Sequence, residues 1–195
     1  MPGAPSDKMR INFDRAVVLI VDNSLGLDIL SNIFLGFGVR NLHRARSVAE
    51  AMKAVQTYPI DLIVMENLMP GEDVHEFVRA LRRLNAGEAR FTPVVLLSAH
   101  TASSRVQLAR DCGANFLISK PLSTRVLIDR IMWVARETRS FLEADTYVGP
   151  DRRFHDLGAP DGMAGRRKDD SRLKAGVDAP DAPGGPSVAG KEGGA

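Results

Sequence analysis

The chain has a single cysteine, Cys112, which excludes an intrachain disulfide and a cysteine-built zinc site. It has no apolar run near the ~20 residues that cross a bilayer, and its first residues lack the charged-then-apolar pattern of a secretion signal. The four histidines, His43, His75, His100 and His155, show no metal-ligand spacing. A net charge of +2 is too small to imply a general polyanion binder, and no helix-turn-helix pattern marks a DNA-binding domain. These absences lead to the expectation of a cytoplasmic protein with no membrane segment. What is present is a 44% hydrophobic chain of 195 residues, enough for one domain with a sizeable core and something extra.

The most informative stretch begins at Asp61. Leu62 to Met65 is a short apolar run after the breaker Pro59, and it stops abruptly at Glu66, as a buried strand that delivers an acid to a sheet edge. Pro70-Gly71 turns the chain, and Asp73 with Glu76 caps the next helix. The same pattern recurs along the chain. Ala16 to Val21 is an apolar strand ending at Asp22-Asn23, with Ser24 as the expected helix cap. A helix then carries Leu30, Ile33, Phe34 and Phe37 on one face and ends at Gly38.

Val39 to Ala45 reads as a polar edge strand, and Ser47-x-x-Glu50 as the capping box of a second helix running to Tyr58. Val74, Phe77, Val78 and Leu81 mark a third helix. Pro93 to Leu97 forms a strand ending in Ser98, and Val106, Ala109 and Cys112 give a weak fourth helix. Asn115 to Ser119 forms a strand ending at Lys120-Pro121. Ser123 opens a long helix with Leu127, Ile131, Val134 and Phe141 on one face, expected to run to about Ala144. Five strands alternating with five helices predict an α/β, doubly wound parallel sheet covered on both faces.

Three segments follow: a flexible leader over residues 1–12, the folded domain over 13–144, and a disordered Gly/Pro/Arg/Asp-rich tail over 145–195. The tail holds a faint repeat in which small-residue turns precede Arg152-Arg153 and Arg166-Arg167.

Asp22-Asn23, Glu66, Ser98 and Lys120-Pro121 all stand at strand ends, where open α/β sheets place their ligands. In order and spacing they resemble the receiver domain of two-component response regulators, over about Phe13 to Ala144. The resemblance implies the flavodoxin-like strand order 2-1-3-4-5. It implies that Asp22, Asn23 and Glu66 correspond to the Mg2+-holding set, Glu66 to the phospho-accepting aspartate, and Ser98 and Lys120 to the groups that sense and pair the phosphoryl group. Two of these positions depart from the family: Glu66 replaces aspartate and lengthens the side chain by one methylene, and Asn23 replaces an acid and removes one negative Mg2+ ligand. The longer Glu66 is expected to reach Lys120 as an ion pair that imitates a phosphoryl contact.

The resemblance thus implies a non-enzymatic, stand-alone receiver acting on a partner signalling protein, either a histidine kinase or an output protein. Contact would run through the helix four, strand five and helix five face, with Leu117 and Trp133 in the partner surface and the chain a monomer or a homodimer through that face. Two other readings stay open: a conventionally phosphorylated receiver, and an effector in which Arg152, Arg153, Arg166 and Arg167 bind an anionic nucleotide.

Overall fold

A computed structural model describes residues 13–84, 87–99, 103–121, 123–136, 139–152 and 171–173. The strands are β1 (Val17–Val21), β2 (Asn41–Ala45), β3 (Leu62–Glu66), β4 (Val94–Ser98) and β5 (Phe116–Ser119). They alternate with helices α1 (Ser24–Gly36), α2 (Val48–Thr57), α3 (Val74–Arg82), α4 (Ser103–Asp111) and α5 (Thr124–Ala135). All four strand pairings are parallel, in the order β2-β1-β3-β4-β5. This is the flavodoxin-like arrangement.

The apolar strands owe their place at the centre to burial on both faces. Alternate residues point to opposite sides, so Leu19, Ile63, Met65 and Leu96 join one core with α2 and α3, while Ile20, Val64, Val95 and Leu97 join a second core with α1 and α5. Each such side chain contributes about 1.5–3 kcal/mol relative to exposure. β2 carries the polar sequence NLHRA and takes an edge, as its composition requires.

The caps agree with local chemistry. Ser47, Asp73 and Ser123 accept hydrogen bonds from the backbone of Glu50, Glu76 and Val126, satisfying orphan N–H groups of α2, α3 and α5. At α1 the expected cap was Ser24, but Asn23 does the work: its Oδ1 accepts the Gly26 N–H at 3.0 Å. The buried stripe of α1 also starts a turn earlier than expected, at Leu27, followed by Leu30 and Phe34, while Phe37 lies at the C-cap and is exposed. Ala109 of α4 and Cys112 just after its end are buried, and Val106 faces outward.

The larger correction is at the C-terminal end. The last helix stops at Ala135, not near Ala144, and Phe141–Ala144 is a strand, β6, paired antiparallel with β7 (Tyr147–Pro150) and with β8 (Ser171–Leu173). Phe141 kept helical spacing with Val134 by coincidence. Its ring is buried against Phe91 and beneath the Arg82 and Arg90 guanidinium groups. Residues 145–152, expected in a disordered tail, are therefore folded. Tyr147 is buried, and its hydroxyl donates to the Pro150 carbonyl at 2.6 Å.

Two glycines let this hairpin approach the domain. A side chain at Gly113, where φ is +97°, would strike the Val148 carbonyl at 2.5 Å, and one at Gly149 would lie 2.8 Å from the Gly113 Cα. Under the hairpin sits Arg82, fully buried. It donates to the carbonyls of Gly113, Arg90 and Thr92 and to Asn115 Oδ1, at 2.8–3.0 Å. Burial lowers its pKa to about 10, which leaves it charged at neutral pH, with four neutral acceptors in place of a carboxylate. The leader over 1–12 and most of the tail beyond residue 152 lie outside the described residues.

Candidate functional site

β1, β3 and β4 end at the same edge of the sheet, and the sequence dictates what each carries there. Val21 gives way to Asp22, Met65 to Glu66 and Leu97 to Ser98, so three buried apolar runs each end in a polar residue at one level. Lys120 follows the last residue of β5. Its N–H donates to the Ser98 carbonyl at 2.7 Å, which holds the start of the β5–α5 loop against β4. The Lys120-Pro121 peptide is cis. Asp22, Glu66 and Ser98 are buried, and the Lys120 side chain is about one-third exposed.

Three of the side chains at this edge meet. Lys120 Nζ makes a direct ion pair with Glu66 Oε2 and lies 3.7 Å from Asp22 Oδ2. The other oxygen of Glu66, Oε1, accepts the Leu68 N–H at 3.2 Å, so both carboxylate oxygens of Glu66 are engaged. Next to it, Asn67 is buried with its Oδ1 against His75 Nε2 at 3.0 Å.

Asp22 is held differently. One oxygen, Oδ1, accepts the N–H of Asn23 at 2.6 Å, and the other has no hydrogen bond. Burial raises its pKa above the ordinary carboxylate value. The Asn23 N–H and the Lys120 charge pull it down, and Glu66 adds to the rise.

The contact that sequence reasoning missed is Gly26. It lies in the first turn of α1 directly over Asp22: a Cβ there would fall 2.6 Å from Asp22 Oδ1 and closer still to Oδ2. Asp22 therefore occupies space that any other residue at position 26 would claim. The available signal was a glycine in a first helical turn just after a strand-end acid, a pattern that acquires meaning only once the acid's rotamer is known.

The remaining candidates are not gathered at this edge. Leu117 leans into the core formed with α2, α3 and α4, while Trp133 is partly exposed on α5 and makes an edge-to-face contact with Phe116, which points to the other core. The sheet thus separates Leu117 from Trp133. Asp28 pairs with Arg44 of β2. Arg152 lies by the hairpin with Asp111, at the opposite end of the sheet from Glu66. Arg153, Arg166 and Arg167 fall outside the described residues.

A family model described as the response regulator receiver domain matches residues 17–132. Among curated proteins, the chain is 30% identical over 113 residues to the sensory/regulatory protein RpfC of Xanthomonas campestris pv. campestris, covering 58% of this chain and 15% of that protein. It is 28% identical over 139 residues to the sensor histidine kinase GacS of Pseudomonas protegens, covering 70% of this chain and 14% of the other. The chain therefore spans about one-seventh of the length of these relatives. Among solved structures, a chemotaxis response regulator of Vibrio cholerae is similar with a TM-score of 0.56 and 28% identity, over 61% of this chain and 98% of that one. The receiver domain of a signal transduction histidine kinase from Syntrophus aciditrophicus matches with a TM-score of 0.53 and 25% identity, over 61% and 89%.

Receiver domains commonly bind Mg2+ at the phosphorylation site. The donors at this edge do not fit that ion in the arrangement they adopt. Mg2+ requires near-octahedral oxygen ligands at ~2.0–2.1 Å. Asn23 Oδ1 is occupied as the cap of α1, Glu66 Oε2 is held by Lys120, and only Asp22 Oδ2 lacks a hydrogen bond. The ammonium group of Lys120 supplies the local positive charge. Among the described residues, no three carboxylate, imidazole or thiol groups converge on a common point.

Proposed function

Since the chain belongs to the response regulator receiver family, a module of two-component signalling, we propose that its site acts without phosphorylation, with Glu66 fixing the state that a phosphoryl group would otherwise induce. The observation that carries this reading is the direct contact between Lys120 and Glu66. In a phosphorylated receiver, the phosphoryl group adds about 1.5–2 negative charges and several acceptor oxygens, which a lysine can neutralise. Here the extra methylene of Glu66 brings a carboxylate of the chain itself to Lys120, and the acceptor is occupied before any phosphoryl donor arrives.

Nucleophilic attack by Glu66 on a phosphoryl donor would require Oε2 to leave Lys120, or Oε1 to leave the Leu68 N–H, and then to align with the donor. A misplacement near 1 Å can cost ~100-fold in rate, and the cation that would neutralise the transferring group has its ligands committed elsewhere. Receiver domains interact with histidine kinases or output domains. The output proposed for this one is a protein contact made constitutively.

The test is incubation with acetyl phosphate and Mg2+ followed by intact mass. The expected result is an unmodified chain. A phosphoryl adduct that disappears in Glu66→Ala would overturn the proposal and establish the conventionally phosphorylated receiver.

A further inference from the structure

α1 differs from the other helices of the domain in what it shows to solvent. Each of the others carries at least one cation and one anion: Lys53 and Glu50 on α2, Arg79 and Glu76 on α3, Arg110 and Asp111 on α4, Arg125 and Asp129 on α5. α1 carries Asp28 alone, and that carboxylate is drawn to Arg44 of β2. Leu27, Leu30 and Phe34 already face the sheet, yet the outward residues remain largely apolar. Leu25 is 71% exposed and Ile29 54%, and Leu35 and Phe37 are exposed further along.

Steps of four place Leu25, Ile29, Ile33 and Phe37 on one raised row about 18 Å long. The neighbouring row, Asp28, Asn32 and Gly36, falls away toward the C-terminal end of the helix. A Cβ built at Gly36 meets nothing within 4 Å, so no contact of its own chain requires glycine there. Nor is it needed to end the helix, since the residue in the left-handed region is Gly38, with φ +90°. Glycine inside a helix costs stability relative to alanine. What it leaves here is a notch, flanked by the exposed Leu35 and Phe37.

The raised row and the notch are complementary to each other. An antiparallel pairing of two α1 helices about a two-fold axis near Asn32 sets Ile29 of each copy over Gly36 of the other, as four-residue rows interdigitate in helix packing. The area agrees with that occupant. Leu25, Ile29, Leu35 and Phe37 expose apolar surface on the order of 400 Å2, a patch of the size that marks an interaction site. Two such faces with their polar margins bury about 1,000 Å2 in total, the lower bound for a specific interface.

We propose that the outward face of α1 is a homodimer interface whose occupant is a second copy of this chain, with Ile29 of each copy seated in the Gly36 notch of the other. This is not the face of α4, β5 and α5, and it is independent of the reading given for Glu66. The small area makes the dimer a weak one, with a dissociation constant on the order of tens of micromolar.

The test is sedimentation equilibrium of the full chain over a concentration range that brackets that constant. The average mass is expected to rise from one copy to two and to stop there, because a two-fold contact closes on itself. Ile29→Arg and Gly36→Leu should each raise the dissociation constant at least tenfold, the first by burying a charge and the second by filling the notch. Both positions point into open solvent in the single chain, so the fold is retained. Val106→Arg, on the exposed side of α4, should leave association unchanged. A parent chain that stays monomeric would overturn the proposal, as would growth past two copies, undiminished association in either α1 variant, or an equal loss in Val106→Arg.

Discussion

Lys120 serves two carboxylates at once, touching Glu66 and standing 3.7 Å from Asp22. The two acids it faces are both buried, whereas the lysine is about one-third exposed. Losing the cation is therefore costlier than losing one anion. Lys120→Met should destabilise the domain by about 2–4 kcal/mol at pH 7, because it leaves two buried acids without a counter-charge. Glu66→Gln should cost only ~1 kcal/mol, in line with the partial solvent screening of the pair. Urea unfolding of both variants measures the difference, and equal losses would show that the pair is symmetric.

The sign of the pH response is set by Asp22. Its folded-state pKa lies above the ordinary carboxylate value because it is buried, so in the window between the unfolded and folded pKa values the native state binds more protons than the unfolded state. This group's contribution to stability therefore grows as pH falls toward and through that window, and it is a penalty at neutral pH. Asp22→Asn should remove that component and flatten the stability profile on the acid side of neutrality. Lys120→Met should steepen it, since the lysine opposes the rise. Unfolding free energies measured from pH 7 down to pH 5 test both directions.

Gly26→Ala offers an inversion of the usual rule. In an exposed helix this change stabilises by up to ~1 kcal/mol, but here the new methyl group meets the Asp22 carboxylate. A destabilisation of about 1–3 kcal/mol is expected, as for other overpacked sites. The double change Gly26→Ala with Asp22→Ala should recover most of it, a non-additive result that identifies the contact. If Gly26→Ala is neutral on its own, Asp22 has another rotamer within reach.

Shortening the acceptor should restore conditional behaviour. Glu66→Asp withdraws the carboxylate from Lys120 by one methylene, and acetyl phosphate with Mg2+ is then expected to add a phosphoryl mass that the parent chain does not take. No adduct in the aspartate variant would place the block elsewhere in the site, with the engaged Asn23 side chain the first place to look.

Arg82 is the structural counterpart of these site changes. Lysine has a single ammonium group and cannot reproduce the forked donors that reach four acceptors. Arg82→Lys should cost about 2–4 kcal/mol through unpaired buried carbonyls, and it should loosen the hairpin first, seen as faster amide exchange at Tyr147 to Pro150 than in the sheet.

Much of this was legible in the sequence because strand ends announce themselves. A buried parallel strand must be apolar along its length, so the switch from Met65 to Glu66 or from Leu97 to Ser98 marks both the boundary and the edge where the candidate site lies. The alternation of strands and helices predicted the doubly wound sheet, and the resemblance carried by the strand-end residues implied its order and set Glu66 near Lys120. The hairpin was not legible. Tyr147, Val148 and Phe141 are few among many glycines and charges, and what orders them is a buried arginine and a glycine contact contributed by α3 and the α4–β5 turn. The helix periodicity of Leu127, Ile131 and Val134 also extends by chance to Phe141, and spacing alone cannot say where a helix stops. Gly26 was invisible for a related reason: its importance lies in the direction of one side chain, Asp22, and no spacing rule contains that.

The ion pair at the edge of the sheet also has a consequence in time. An acyl phosphate is a signal with a lifetime, ended by hydrolysis and renewed by a donor, so a receiver that depends on it reports how recently it was modified. A carboxylate belonging to the polypeptide never decays. On the reading proposed for Glu66, the strength of the output would follow the number of copies present and change only as fast as the protein is made, diluted or degraded, which would convert a device for tracking rapid stimuli into a record of gene expression.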